Sequence, residues 1–93
     1  MKTLNLNSII KFRLNDRGRD IYYHQYDELN EMLIERGAKP IVPTYPKEDE
    51  NGFSSFQLWR FMNIYGPYMI MGAPEFWKDM NIYIEDDELK DVP

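Results

Sequence analysis

The stretch DIYYHQYDEL, residues 20–29, sets the single histidine of the chain among three tyrosines, with carboxylates at either end. An imidazole beside carboxylates could move protons, and His24 with Glu28 at i, i+4 could supply two corners of a metal site. A metal needs a third and a fourth ligand, and the chain has no second histidine and no cysteine. Acid–base work needs carboxylates in a pocket that shifts their pKa. The acids here instead fall on one back of a helix, one turn and one tail. Ser54 and Ser55 read as capping residues and Ser8 as a strand start, so no serine has a base in reach. There is no G-x-G-x-x-G and no phosphate loop. KEDENG superficially suggests a calcium loop, but it lacks alternating acids before its glycine, and position 58, where the closing glutamate would stand, is Leu. The expectation is a non-enzyme with no catalytic residues, no cofactor and no bound metal. A small metal-dependent hydrolase resting on His24 and the glutamates is the weakest of three readings.

The elements that would carry these residues follow from periodicity. At about 100° per residue, Tyr26, Leu29 and Leu33 fall within about 40° of Tyr22, and Ile21 and Met32 widen that stripe. One helix from Asp20 to about Arg36 is predicted, with the stripe on the core and His24 near 200°, among Glu28, Glu31 and Glu35 in water. Gly37 is its stop and Pro40 prevents continuation. Before it, SIIKFRLN (8–15) alternates as a half-buried strand with Ile10, Phe12 and Leu14 inward. In the following turn Asn15, Asp16 and Asp20 are candidate caps.

After the helix comes a linker with three prolines, KPIVPTYPKEDENG, in which Ile41 and Val42 could lie along a sheet edge. A second helix is predicted over 54–65. Ser54 and Gln57 have the spacing of a capping box, and Phe53 and Leu58 that of a hydrophobic staple. This helix is apolar almost all round, because Phe56 and Ile64 fall in the arc that holds Gln57, Arg60 and Asn63; such a helix is buried on more than one side. NIYIED (81–86) alternates again and reads as a terminal strand with Ile82 and Ile84 inward. The predicted fold is α+β, a small β-α-α-β domain over residues 1–84. Its two terminal strands pack on two helices, with an optional third edge segment. Residues 85–93 form an acidic tail that frays.

Net charge is −5, and the tail holds five acids against one lysine, so the body is nearly neutral. Without a basic surplus, nucleic-acid binding is disfavoured, because phosphate neutralisation supplies most of that affinity. The one candidate anion patch is Lys11, Arg13, Arg17 and Arg19 on the outer strand face and the next turn. It supports the alternative of a DNA-associated regulator, and FRLNDRGRDIY resembles, over fewer than ten residues, the wing-to-helix passage of winged-helix regulators of the MarR type. Pairing of these bases with Glu85, Asp86 and Asp87 is the plainer reading. MKTLNLNSII has no apolar run of signal-peptide kind, and no stretch has the roughly 20 apolar residues of a membrane span. A cytoplasmic protein without membrane contact is expected.

Fourteen of the 93 residues are aromatic, with six methionines besides. Most of the set Trp59, Phe61, Tyr65, Met69, Met71, Phe76 and Trp77 is expected in the core. The rest suits an interface, where Trp, Tyr and Met are enriched. The candidate interface is Phe56, Trp59, Arg60, Ile64 and Trp77, and a homodimer burying the Phe56–Arg60–Ile64 side is expected.

LNDRGRDIYYHQYDELN, YPKEDENGFSSFQLWRFMNIYGPYMIMGAP and the closing IYIE together resemble a family of small proteins encoded by phages and prophages of Gram-positive bacteria, especially gut Firmicutes. The resemblance covers nearly the whole chain and carries no catalytic residues with it. It implies an accessory protein of a mobile element in a bacterial host cytoplasm, acting on a host or phage protein.

Overall fold

The computed structural model describes residues 1–92. The fold is α+β, with four short strands in two antiparallel pairs and three helices. Strand β1 is Lys2–Leu4 and β2 is Ile9–Phe12. Helix α1 is Asp16–Tyr23 and α2 is Asp27–Glu35. Strand β3 is Ser54–Gln57, α3 is Leu58–Tyr65 and β4 is Leu89–Asp91. Strand β2 pairs with β3 in the register Ile10–Phe56 and Phe12–Ser54, and β1 pairs with β4.

The alternation at 8–14 holds as read. Ile10, Phe12 and Leu14 are fully buried and form the centre of the core. Phe12 stacks on Phe56 and meets Phe61 at 4.3 Å between ring centroids. Asn15 caps α1, its Oδ1 accepting from the Gly18 N–H at 3.0 Å. Gly37 stops α2 with φ +74°, the left-handed conformation that glycine adopts freely.

The helix predicted over 20–36 is two helices. The run Tyr22-Tyr23-His24-Gln25-Tyr26 has weak helix propensity. The Gln25 side chain also donates to the Tyr22 carbonyl at 3.0 Å, closing the end of α1. The chain turns through His24–Tyr26, and Asp27 and Glu28 open α2, where acids suit the helix N-terminus.

The capping box at Ser54 does not form. Ser54 and Phe56 point inward and Ser55 outward, the period of a strand. Helix α3 starts four residues later than predicted. Its first N–H groups are met by remote carbonyls, Leu58 N–H by Ser8 at 2.9 Å and Trp59 N–H by Leu6 at 3.0 Å. The strand predicted at 81–86 is a single bridge at Tyr83, which exchanges two backbone hydrogen bonds with Lys11. Tyr83 faces inward against Phe53, so Ile82 and Ile84 face outward, the reverse of the prediction. The tail is not wholly frayed, since β4 lies within 85–93 and Lys2 Nζ meets Asp91 at 2.5 Å. Ile41 and Val42 join neither sheet.

Gly18 is the one closely enclosed glycine of the five. A Cβ there would stand 2.1 Å from the Phe76 carbonyl oxygen and 2.9 Å from Leu14 Cδ2. Gly18→Ala is therefore expected to cost about 3 kcal/mol, as overpacking against backbone does, read as a lower urea midpoint with unchanged slope. Ser54 Oγ is buried and has no hydrogen-bond partner among the described residues. Ser54→Ala removes an unsatisfied polar group, so it is expected to be neutral or to stabilise by up to about 1 kcal/mol. A loss of about 1 kcal/mol, the usual value of a helix cap, would contradict the strand placement of Ser54.

Candidate interaction surface

Helix α2 buries none of its nine residues, and no other helix or strand makes an extensive contact with it. The molecule is correspondingly drawn out, measuring 50 × 31 × 29 Å. Its radius of gyration is 15.6 Å, where a compact domain of this length has about 12 Å.

The sequence of α2 is nonetheless amphipathic. With Leu29 at zero and about 100° per residue, Met32, Leu33 and Tyr26 fall within about 60° of it. Asp27, Glu31 and Glu35 fall on the opposite side. Leu29 is 42% exposed, Met32 48% and Ile34 62%. The stripe that the periodicity assigned to the core therefore divides. Ile21 is buried and Tyr22 packs against the core, whereas Leu29 and Met32 lie open. The cause is the turn at 24–26, which redirects the second half of the stripe.

One hydrogen-bonded clamp ties α2 to the rest of the chain, and one cation lies near its N-terminal end. The Arg60 guanidinium lies beside the hydroxyls of Tyr26 and Tyr22; hydrogen bonding to Tyr26, then to Tyr22, outweighs partial desolvation and raises its pKa above the ordinary value. Asn30 clamps the backbone of Ile41 from both sides, accepting its N–H at 2.7 Å and donating to its carbonyl at 2.9 Å. The clamp sets Ile41 on the Asn30 side of α2, about 100° round the helix from Leu29 and about 160° from Met32.

Of the five residues predicted as an interface, three are buried in the chain's own core. Phe56 stacks on Phe12, Ile64 is closed in, and Trp77 packs on Phe61 and Phe76. A dimer through the Phe56–Ile64 side is therefore corrected. Phe56 belongs to a strand and not to the back of a helix, and α3 turns Ile64 into the core. Trp59 is exposed, and Arg60 is occupied by the two tyrosines. Among the aromatic and methionine residues, Phe61, Tyr65 and Phe76 are core, whereas Met69 and Met71 are open. Met69 belongs to a small apolar groove of about 310 Å³ with Tyr68, Ile70 and Met80.

The predicted basic patch is dispersed. Lys11 pairs with Glu85 at 3.0 Å, as the plainer reading had it. Arg19 meets Glu48 at 2.8 Å and Asp16 at 2.9 Å, and hydrogen bonding to Glu48 raises its pKa above the ordinary value. Arg13 lies over the rings of Phe53 and Tyr83, and Arg17 sits beside Tyr68. Lys11 and Arg13 share the neighbourhood of Tyr83, whereas Arg17 faces Tyr68 and Arg19 the Glu48 and Asp16 carboxylates.

His24 stands at the α1–α2 turn, on a cleft of about 620 Å³ shared with Asp27, Glu28, Arg60 and Asn63. Its Nδ1 is 2.8 Å from Asp27 Oδ2, so its partner is Asp27 and not Glu28. Both side chains are about 60% exposed, and water screens such a pair. Among the described residues, no three His, Asp or Glu side chains gather as a metal site needs, and no helix is long and apolar enough to cross a membrane. Asp79, four residues before Tyr83, is held below the ordinary carboxylate range. The Tyr83 hydroxyl is the first cause and the Asn81 N–H the second.

Comparison with protein-family models, with curated proteins and with solved structures gave no match.

Exposure of the His24–Asp27 pair sets an expectation for its removal. His24→Ala should change the unfolding free energy by no more than about 0.5 kcal/mol, as other surface substitutions do. Denaturant unfolding checks it, and a loss of several kcal/mol would place His24 in the packing.

Proposed function

We propose that the protein is a non-enzymatic interaction module that presents the Leu29–Met32 face of α2 to another polypeptide. One observation carries this reading, the uncovered apolar face of α2 on a helix whose acids already face water. Amphipathic helices bury such a face, and helix recognition uses anchors at i and i+3, the spacing of Leu29 and Met32, whereas Leu33 at i+4 is already half-buried in the chain. The phage-protein resemblance supports the same reading, and it suggests an accessory role in a bacterial host. The alternative of a DNA-associated regulator loses support from the occupied and separated bases.

A photo-crosslinking side chain placed at Leu29 or Met32, in cells expressing the full chain, is expected to give a discrete protein adduct. The same group at Glu31 or Glu35 should give none. No adduct from positions 29 and 32, or equal adducts from both faces, would remove α2 as the contact surface.

A further inference from the structure

Resting on that reading, we propose that the partner is a second copy of this chain, joined through an antiparallel α2–α2 seam on a two-fold axis. The charges on α2 and its two ends favour this occupant. Asp27, Glu31 and Glu35 lie on the back of the helix, so two stripes meet without bringing them together. A foreign groove with a basic rim would find most of the acids facing away from it. Glu28 flanks the stripe one turn before Met32, and Arg36 flanks it one turn after, at the C-terminal end. Among the described residues neither has an ion-pair partner within the chain. In an antiparallel pair centred on Met32, Glu28 of each copy comes beside Arg36 of the other. One symmetric contact thereby places both unpaired charges, twice over.

The area limits the strength of this arrangement. The exposed parts of Leu29 and Met32 amount to on the order of 200 Å² per chain, so two copies bury well under the ~1,000 Å² at which a standard interface begins and the contact is of the weak, transient class. The dimer is expected to form reversibly, from about 100 µM upward.

Sedimentation equilibrium of the full-length chain from about 10 µM to about 1 mM spans the affinities that an interface of this size reaches. The mass should rise from one chain toward two. Met32→Glu should weaken dimerisation at least tenfold while leaving the thermal midpoint of the diluted protein unchanged, since Met32 lies outside the core. Glu28→Arg and Arg36→Glu should each weaken it, and the double exchange should restore it, because only the antiparallel seam re-pairs the swapped charges. A one-chain mass across the whole range, a dimer indifferent to Met32→Glu, or a double exchange without rescue would overturn the two-fold seam. A monomer that still gives a heterotypic adduct from positions 29 and 32 would overturn the second copy alone. Absence of any adduct would overturn both the second copy and the interaction role of α2.

Discussion

The contact on which the rest of the structure depends is the meeting of α1, α3 and the chain at Phe76 around Gly18. The Tyr65 hydroxyl donates to the Gly18 carbonyl at 2.9 Å in the interior. Burial raises the pKa of that hydroxyl well above its ordinary value, so it stays a donor at any physiological pH. On the other side of Gly18 the Phe76 carbonyl lies where a side chain would stand, and it accepts from the Asn15 N–H at 3.2 Å. Three segments far apart in sequence are thus locked against one another at a residue without a Cβ. With α1 fixed there, Ile21 and Tyr22 reach the core, and the turn at His24–Tyr26 sends the chain outward. The bare face of α2 is a consequence of how tightly α1 is held.

How much of this was legible depended on whether the decisive contacts were local. The strand at 9–12 was readable because its inward residues alternate and every second one is large and apolar. The stop at Gly37 was readable because a positive φ is a property of the residue itself. SSFQLW misled because two periods overlap in it. The Ser–x–x–Gln spacing of a capping box coincides with a strand that puts Ser54 and Phe56 on one side. What decides between them is pairing with Ile9–Phe12, more than forty residues earlier. Once that pairing exists, the cap is unnecessary, because Ser8 and Leu6 carbonyls already receive the first N–H groups of α3. The same pairing removed Phe56 from the expected interface.

The interaction surface was legible as a pattern but not as a place. Periodicity found Tyr22, Tyr26, Leu29 and Leu33 on one stripe and gave the stripe to the core, the usual destination of such residues. It cannot see a turn that leaves the amphipathic pattern in phase on both sides. The basic residues show the converse. Lys11, Arg13, Arg17 and Arg19 are neighbours in sequence, yet the first two stand by Glu85 and the rings of Phe53 and Tyr83, while the helix turns the last two toward Tyr68 and Glu48.

The energetics of α2 tie its order to its cover. An isolated helix of nine residues is marginal in water, because nucleation costs more than a few hydrogen bonds return. Within the chain, α2 gains from acids in its first turn, from Gly37 at its end, from the Arg60–tyrosine contact and from the Asn30 clamp. None of these covers Leu29 and Met32, and burial is the term that stabilises most helices in proteins. Any partner that covers them therefore stabilises the helix by mass action. The core cluster around Phe12 and Tyr65 draws no residue from α2, so what covers the face of that helix is separate from what closes the core.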